Sequence, residues 1–469
     1  MDLEKLFYPK SIAVIGASSK LGGGKLPYYL ILKMIGYNGE LYPVNPKYNE
    51  MDGVRFYHSL DELPEGIDLV IVTAPKSQSL EIMKAAARRK VKFIHFFTAG
   101  FSEMGNHEME EEIIREARRG GTRIVGPNCI GVYCPEGRVS FGFSIQQQNG
   151  NSDVCFIGQS GGVTTNFVRM AVAHYLGLNK VVSYGNQIDI RAEDYLSYFA
   201  RDTRIRVMGA YIEDLKEPQR FLDILKEITA ERPVFILKGG MSEAGAKAAA
   251  SHTGAMASNY RVWASAMSQG GGVLVDTFEE LVNAIMLGVS DRTPAGPRVG
   301  FLGAGGGTAV TFTDCAELAG LNVPTLAPET QKRIAEKISD VNTSTANPVD
   351  LGMFGFDFNI MAEGILSLDA DEGVDVIVPY FSIDFINNFQ KDKLQTGPNI
   401  ILEAVGRAQK PVIPVISRFS QTNLETEEAR IGMFKTFRAA GLPVYATIQD
   451  CAGAIAKYLE WLRKKEARG

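Results

Sequence analysis

One of the five histidines of this sequence stands in a setting unlike that of the other four. His252 lies in the run Ala-Ala-Ala-Ser-His-Thr-Gly, in which every neighbour is small. A loop of small residues lets the backbone approach a ligand closely and can change its place, whereas a core histidine has bulky neighbours to pack against. We therefore predict that His252 is a catalytic nucleophile whose imidazole visits two places. A purely structural glycine-rich loop is the alternative.

A carboxylate that could serve this histidine follows a predicted strand. Glu213 comes directly after residues 207–212, an apolar run typical of a parallel strand, and α/β proteins place their chemistry at the carboxyl ends of such strands. From there Glu213 could accept the Nδ1 proton of His252, which would fix the tautomer and leave Nε2 to attack phosphorus. A second interpretation stays open, in which Glu213 is a surface residue beside Asp214.

A glycine-rich turn, Gly-Gln-Ser-Gly-Gly at residues 158–162, follows another predicted strand and opens a helix. The backbone N–H groups and the dipole of a helix start bind anions. Ser160, Gly161 and Gly162 are therefore predicted to hold inorganic phosphate or a phosphorylated histidine. The spacing also fits the Gly-x-Ser-x-Gly elbow of an α/β-hydrolase. A hydrolase needs an acid and then a histidine after its last strands, and no histidine follows His252.

An earlier glycine turn follows the first predicted strand. It runs from Gly16, Ala17 and Ser18 to Lys25 and departs from the dinucleotide pattern Gly-x-Gly-x-x-Gly at the second glycine. The turn and the helix start behind it form an anion site, although a turn of this kind can also be purely structural. We predict that it contacts the phosphates of a nucleotide-like ligand.

The end of the second predicted strand indicates which nucleotide this is. Dinucleotide-binding proteins place Asp or Glu there to hold the ribose hydroxyls. This sequence instead reads Asn45-Pro46-Lys47, with a cation in place of an acid. A lysine suits a ribose that carries a 3′-phosphate, as coenzyme A does, better than a free diol. The alternative is that Lys47 is a solvated surface residue.

The remaining histidines and cysteines point to no metal site. None of the other histidines pairs with a histidine, cysteine or carboxylate at metal-ligand spacing, and we predict no metal ligands in this chain. His95 lies within an apolar run and is expected to be packed and satisfied. The five cysteines are scattered and odd in number, which favours a reducing cytoplasm over a disulfide framework.

The composition is that of an ordinary globular protein of 469 residues, with 45% hydrophobic and 22% charged residues. The net charge of -5 is spread along the chain, which argues against a nucleic-acid partner and against a membrane surface. Apolar runs are of strand length and too short to span a bilayer, and the N-terminus shows no apolar signal core. We expect a cytoplasmic protein.

Short apolar runs alternate with helical stretches along the whole chain, which predicts an α/β fold of parallel sheets covered by helices on both faces. A polar break and a proline-rich linker divide this pattern into three parts, and the first is expected to be Rossmann-like. The predicted domains are residues 1–145, 150–292 and 297–469. The strands predicted for the third domain are residues 299–302, 374–378, 412–416 and 444–445.

Several motifs together resemble one family. The sequence is similar to the α subunit of the nucleoside-diphosphate-forming acyl-CoA synthetases, best known as ADP-forming acetate–CoA ligase and related to succinyl-CoA synthetase. The resemblance extends over essentially the whole chain. Its motifs are Val14-Ile15-Gly16-Ala17-Ser18, Pro43-Val44-Asn45-Pro46-Lys47, Thr98-Ala99-Gly100-Phe101-Ser102-Glu103, Gly126-Pro127-Asn128-Cys129-Ile130-Gly131, Ser183-Tyr184-Gly185-Asn186-Gln187-Ile188-Asp189, Ser251-His252-Thr253-Gly254 and Asn347-Pro348-Val349-Asp350.

The resemblance implies a Rossmann-like CoA-binding domain followed by two flavodoxin-like ligase domains. In this family phosphate attacks the acyl-CoA, the resulting acyl phosphate phosphorylates a histidine, and the histidine loop swings to an ATP-grasp module that passes the phosphoryl group to ADP. His252 is then the phosphate carrier and Glu213 its orienting carboxylate, with the thioester directed towards Asn128 and Gly131. The residues expected to contact coenzyme A are Gly16, Ala17, Ser18, Lys25, Asn45, Pro46, Lys47, Thr98, Ala99, Gly100 and Phe101.

The resemblance also implies a partner. No stretch of the sequence is left for an ATP-grasp domain, so we expect a separate ATP-grasp β subunit in an α2β2 assembly, with ADP or ATP and Mg²⁺ bound on it. The remaining substrate is expected to be a small carboxylic acid or its acyl-CoA. Family members often have Lys-Ser-Gly where residues 238–240 read Lys-Gly-Gly. The alternative function is a non-catalytic regulatory protein that binds coenzyme A or a dinucleotide.

Overall fold

The chain forms two compact units, residues 1–276 and 277–469. The first unit contains two large sheets, and the second contains one. The computed structural model describes residues 1–18, 26–142, 152–245, 247, 260–339, 341–418 and 423–468. Two predicted site residues, Lys25 and His252, lie outside these ranges.

The first sheet has five parallel strands, and its central strands are buried at every residue because helices cover both faces. The strands of this part of the chain are β1 (Ser11–Ile15), β2 (Glu40–Val44), β3 (Glu50–Met51), β4 (Val54–Arg55), β5 (Leu69–Val72), β6 (Phe93–Phe96) and β7 (Arg123–Val125). Of these, β3 and β4 form a separate small hairpin, and the other five form the sheet. Their order in the sheet is β2-β1-β5-β6-β7. The accompanying helices are α1 (Glu4–Phe7), α2 (Tyr28–Met34), α3 (Ser79–Arg88) and α4 (His107–Gly120). The strand order reverses beside β1, where a sheet of this type opens a crevice for a ligand.

The second sheet has six strands, five of them parallel. They are β8 (Gly131–Tyr133), β9 (Val154–Gly158), β10 (Leu178–Ser183), β11 (Val207–Ile212), β12 (Val234–Lys238) and β13 (Val273–Val275). The order is β13-β12-β11-β9-β10-β8, and β8 pairs with β10 in the antiparallel direction. The helices of this part are α5 (Gly161–Ala173), α6 (Ala192–Phe199), α7 (Pro218–Thr229) and α8 (Tyr260–Gln269).

The second unit is built on a four-stranded parallel sheet. Its strands are β14 (Val299–Gly303), β15 (Val349–Asp350), β16 (Val376–Phe381) and β17 (Val415–Ile416), in the order β15-β14-β16-β17. Its helices are α9 (Phe278–Gly288), α10 (Gly306–Leu318), α11 (Pro328–Ala335), α12 (Phe358–Asp369), α13 (Ile383–Phe389), α14 (Gly397–Arg407), α15 (Leu424–Ala439) and α16 (Ile448–Glu466). Leu302, Ile365, Phe381 and Phe437 belong to one core cluster that fills the space between the sheet and these helices.

The predicted α/β fold with parallel sheets is confirmed, with two differences in the third sheet. Residues 444–445 form no strand, since Tyr445 makes only an isolated bridge with Val415. The strand predicted at residues 412–416 shrinks to β17, because Pro411 and Pro414 lack the N–H groups that a longer ladder needs. Apolar character predicted both runs, but a strand also requires donors along its edge.

The predicted domain limits near residues 145 and 292 stay predictions. Two elements of the structure associate with the part of the chain beyond the predicted limit. Strand β8 precedes the first predicted limit in the chain, yet it pairs with β10 of the second sheet. Helix α9 precedes the second limit and belongs to the second compact unit. An apolar run predicts a strand. Which sheet that strand joins depends on its pairing with residues that lie far away in the sequence.

Candidate functional site

A cleft of about 480 Å³ opens at the carboxyl ends of β1, β2 and β5. Gly16 has φ +84 there, and a Cβ at this position would lie 2.7 Å from Thr73 Oγ1, so both backbone conformation and space require glycine. Of the predicted CoA-contacting residues, those that line the cleft are Gly16, Ala17, Ser18, Asn45, Pro46 and Lys47. Residues that the sequence did not single out complete the lining, among them Tyr28, Tyr48, Thr73, Pro75 and Gln78.

The two predicted segments of this cleft are joined by a hydrogen bond. The Asn45 side chain donates from Nδ2 to the Ala17 carbonyl over 2.9 Å, and the same side chain accepts from the Lys47 N–H over 3.1 Å. The exposed Lys47 therefore stands at the rim of the cleft on a backbone held in place by Asn45. The sheet thus brings together two segments that lie about 30 residues apart in the sequence.

A second pocket, of about 330 Å³, lies within the first unit and draws on both of its sheets. Loops that follow β6 and β7 contribute one wall, and loops that follow β9, β10 and β11 contribute the other. The predicted residues that it collects are Thr98, Ala99, Asn128, Ser160, Gly161, Gly162 and Glu213. The structure also adds Gln159, Gly185 and Asn186 to the lining. The predicted phosphate residues, the predicted thioester residue Asn128 and the predicted histidine-orienting residue Glu213 therefore surround a single cavity.

The start of α5 forms one side of this pocket. Ser160 is the N-cap, and its Oγ accepts from the Val163 N–H over 3.4 Å. The first N–H groups of a helix have no partner within the helix and carry the positive end of its dipole. A Cβ at Gly161 would lie 2.9 Å from Ile130 Cγ2, so the glycine lets the loop after β7 approach the helix start closely. The pocket therefore presents an anion-binding helix start.

Glu213 lines the same pocket and is only 9% exposed, so it is not a surface residue. Its role towards His252 stays a prediction. Its side chain is hydrogen-bonded to the Tyr211 hydroxyl; burial raises the pKa of Tyr211, and the charge of Glu213 raises it further. A Cβ at Gly239 would lie 2.5 Å from the Tyr211 hydroxyl and 3.0 Å from Glu213 Cγ. The glycine of Lys-Gly-Gly thus makes room for the Tyr211–Glu213 pair.

The neighbouring acid, Asp214, has a different task. Its Oδ1 accepts from Gln159 Nε2 and from Gln187 Nε2, over 2.5 Å and 3.0 Å. Gln159 Oε1 in turn accepts from the N–H groups of Glu213 and Asp214, over 2.9 Å and 3.0 Å. Asp214 and Gln159 therefore hold the backbone that carries Glu213. Sequence reasoning missed Gln159, whose only signal was a polar residue inside a glycine turn.

Lys238 ends β12, immediately before the segment that contains His252. The side chain is 5% exposed and donates from Nζ to the Glu213 carbonyl over 2.8 Å and to the Gly239 carbonyl. Burial lowers the pKa of Lys238, while the charges of Glu213 and Asp214 act in the opposite direction. The chain thus leaves the sheet at Gly239, directly beside Glu213.

Three predicted residues line neither cavity. Gly100 has φ +106 and lies against the Lys76 side chain, and Phe101 is fully buried against the Phe96 ring. Gly131 begins β8, where a Cβ would lie 2.6 Å from the His95 ring. Contacts of these three residues with a ligand stay predictions.

His95 is the packed histidine that the sequence predicted. It is buried, and its Nε2 lies 2.9 Å from the Cys129 carbonyl. Burial lowers the pKa of His95 to about 4, and burial raises the pKa of the Cys129 thiol to about 12. Neither group therefore carries charge at neutral pH. Both support the floor of the second pocket as neutral, packed side chains.

Two further structural findings concern metals and membranes. Within the described ranges, no three His, Cys, Asp or Glu side chains come together as a metal site would require. No helix in the same part of the chain is both long and apolar enough to cross a bilayer.

Comparison with known proteins bears on both sheets of the first unit. Residues 10–135 match the family of CoA binding domains, and residues 151–287 match the succinyl-CoA ligase like flavodoxin domain. The α subunit of ADP-forming acetate–CoA ligase II from Pyrococcus furiosus is 31% identical over 460 residues, which is 96% of this chain and 96% of that subunit. The chain belongs to the ADP-forming acetate–CoA ligase family. The resemblance stated from the motifs is thereby confirmed, and this family consists of acid–thiol ligases.

The family comprises proteins of different lengths. The acetate–CoA ligase of Methanocaldococcus jannaschii is 34% identical over 75% of this chain, which spans about half, 49%, of that longer protein. Among solved structures, the acetyl-coenzyme A synthetase 1 of Ca. Korarchaeum cryptofilum, in complex with phosphate and ADP, superposes with a TM-score of 0.85. The two are 27% identical, and the match covers 99% of this chain and 98% of that one. The match therefore extends through both compact units.

Proposed function

We propose that this chain is the CoA-binding and phosphate-carrying part of an ADP-forming acyl-CoA synthetase. The reaction converts an acyl-CoA, phosphate and ADP reversibly into a carboxylic acid, coenzyme A and ATP. The observation that carries the proposal is the 330 Å³ pocket in which Asn128, the helix start at Gly161 and the carboxylate of Glu213 meet. Each of the three suits one requirement of the chemistry.

The first step joins phosphate to the acyl group. Phosphate bound at the Ser160–Gly162 turn is held by N–H groups and by the helix dipole. One of its oxygens attacks the thioester carbonyl, a C–O bond forms, the C–S bond breaks, and coenzyme A leaves as the thiol with a proton. Asn128 supports this step as an amide donor, because charge develops on the thioester oxygen during the attack.

In the second step Nε2 of His252 attacks the acyl phosphate. A P–N bond forms, the bond between phosphorus and the acyl oxygen breaks, and the carboxylate leaves. Glu213 would hold the Nδ1 proton, which leaves Nε2 as the nucleophile and stabilises the charged phosphohistidine. The position of Lys238 supports this assignment, since the chain that carries His252 departs beside Glu213.

Coenzyme A is assigned to the 480 Å³ cleft. Tyr28 lines this cleft, and its hydroxyl donates to the Ile130 carbonyl over 2.8 Å, while Ile130 itself lines the second pocket. The two cavities therefore share a wall, which suits a ligand whose phosphates lie in one cavity and whose thioester reacts in the other.

The nucleotide step is assigned to a partner. The Pyrococcus furiosus relative is named as a subunit α, which supports an ATP-grasp β subunit that binds ADP or ATP with Mg²⁺, in an α2β2 assembly. Phosphorylated His252 would deliver its phosphoryl group to ADP there. The remaining substrate is a small carboxylic acid or its acyl-CoA, and the proposed location is the cytoplasm, which the scattered cysteines favour.

The test uses the chain with its β subunit, ADP, labelled phosphate and a panel of acyl-CoA esters. We expect ATP formation and an acid-labile, base-stable phosphate label on this chain. His252→Ala should abolish both, while His107→Ala, at an exposed helix start, should leave both unchanged. A label that persists in His252→Ala would refute the carrier. CoA, but not NAD, should raise the melting temperature, and the reverse result would refute the assignment of the first cleft.

A further inference from the structure

A carboxylate outside the reaction pocket connects two of the loops that build it. Glu103 follows the β6 loop, and its two oxygens accept from the N–H groups of Gly100 and Phe101. The same carboxylate accepts from Asn186 Nδ2 over 2.6 Å. Asn186 lies in the loop after β10, in the second sheet. Burial alone would raise the pKa of Glu103, but these hydrogen bonds outweigh it and hold the pKa below its usual range.

An ionised carboxylate offers only acceptors. The amide of Asn186 must therefore turn its NH₂ group towards Glu103, and its carbonyl oxygen faces the other way. That oxygen lies 3.5 Å from Asn128 Nδ2, at the long end of the hydrogen-bond range. Asn128 and Asn186 both line the second pocket, whereas Glu103 does not. The ionic state of Glu103 thus determines the orientation of two amides at the reaction site.

The backbone around Asn128 leaves little other freedom. Asn128 has φ +58, its N–H donates to the Thr98 carbonyl over 3.1 Å, and the Asn186 N–H donates to the Pro127 carbonyl over 3.0 Å. A Cβ at Gly185 would lie 2.6 Å from the Asn128 carbonyl oxygen. The main chains of the two loops are therefore locked together. The remaining variable is which end of each side-chain amide carries the hydrogens.

We propose that Glu103 is a positioning residue that acts through Asn186 to keep the NH₂ group of Asn128 in place as a donor to the thioester oxygen. This inference rests on the proposed function. It adds the chain of hydrogen bonds from Asn128 to Asn186 and from Asn186 to Glu103, here called the relay, in which each amide donates towards the carboxylate. Loss of a preorganised donor of this kind lowers turnover by about 100-fold. Glu103→Ala, which removes both acceptor oxygens, should therefore lower kcat by about 100-fold. Glu103→Gln should keep most of the activity, because one amide oxygen in the place of Oε2 can still accept from the Phe101 N–H and from Asn186 Nδ2.

A reversal of polarity separates this role from simple loop support. Asn186→Asp alone places two carboxylates together and should also lower kcat by about 100-fold. In the double variant, the glutamine NH₂ donates to one oxygen of the new carboxylate, and Asn128 Nδ2 again donates to the other. Turnover should return to within about tenfold of the parent. Asn186→Asp keeps the bonds from Gly100 and Phe101, and the double variant loses at least one of them, so loop support alone predicts no recovery.

The experiment measures kcat with the β subunit, acyl-CoA, phosphate and ADP, and it also follows labelling of this chain from ATP. Labelling from ATP bypasses the thioester and should stay at the parental level in all of these variants. Glu81→Gln, which loses only a surface pair with Lys84, is the matched control and should be unchanged. Parental kcat in Glu103→Ala, or a double variant no better than Asn186→Asp, would overturn the relay. A parent that forms no ATP would instead overturn the proposed function.

Discussion

The second and third sheets both carry a strand, a glycine turn and a helix, yet the two turns do different things. After β9, Ser160 caps the helix and the turn opens into a pocket with Glu213 on its wall. After β14, the Gly305 N–H donates over 2.8 Å to Asp350 Oδ1, which also accepts from the Gly352 N–H over 2.9 Å. Both turns line a cavity, of about 750 Å³ after β14 and about 330 Å³ after β9. At the turn after β14 the N-cap N–H is bound to a carboxylate of the same chain, whereas at the turn after β9 the acid, Glu213, lines the pocket instead.

Strand register explains the difference. In the second sheet Tyr211 is the partner of Gly158, so Glu213 stands two residues beyond the end of the paired region. In the third sheet Asp350 is itself the partner of Gly303. Asp350, which is level with the last residue of β14, accepts a hydrogen bond from the turn. Glu213, which stands two residues further on, lines the pocket instead. The same residue types thus place an acid on the turn itself in one sheet and on the wall of the pocket beyond the turn in the other.

Removal of the charge of Glu213, in the pocket at the turn after β9, should have the largest effect on turnover. Glu213→Gln should lower turnover by about 100-fold, the upper end for loss of a group that orients a reactive histidine. Asp214→Asn is the matched neighbour. It should keep most of the activity, because one amide oxygen can still accept from both Gln159 and Gln187. Steady-state kinetics checks both, and equal losses would contradict the separate roles of the two acids.

Removal of Asp350, which is bound to the turn after β14, should lower the stability of the fold. Asp350→Ala leaves the Gly305 and Gly352 N–H groups without their acceptor and should lower the free energy of unfolding by about 2 kcal/mol. Asp350→Asn should cost less, because both donors bond to a single oxygen, which asparagine retains. Urea denaturation of the full chain measures the two, and indistinguishable variants would show that the turn does not depend on this acceptor.

Gly239→Ser tests whether the role of Glu213 in turnover depends on its contact with Tyr211. The added Cβ would meet the Tyr211 hydroxyl at 2.5 Å, so the Tyr211–Glu213 pair must separate. We expect turnover to fall by about tenfold, the lower range for an altered supporting contact. Tyr211→Phe in the same chain removes the obstructing hydroxyl and should restore part of the loss. No recovery would place the effect of the serine elsewhere in the loop.

Ser160→Ala should have the smallest effect. It removes an N-cap and should lower the free energy of unfolding by about 1 kcal/mol, while turnover stays within a few-fold because the backbone N–H groups of the turn remain. A hydrolase nucleophile at this position would instead be indispensable. Complete loss of activity in this variant, with the fold intact by circular dichroism, would favour the elbow interpretation of the glycine turn.

Local patterns predicted much of the fold. The bounds of β11 were predicted to the residue, because residues 207–212 are a compact apolar run between charged flanks. Strand β8 was not predicted, since three residues inside a loop become a strand only through pairing with β10. The strand expected at residues 444–445 failed for the corresponding reason, because its neighbour offers it only a single bridge.

The candidate site divides in the same way. Residue types and motif order determined the family, the glycine turns and the acids at strand ends, because these depend on neighbours in the sequence. Tertiary structure alone decided that Asn128, Gly161 and Glu213 share one pocket, that Phe101 faces the core, and that Asn186 links Glu103 to Asn128. It also decided which turn binds an acid of its own chain, because strand register sets how far an acid stands beyond the sheet.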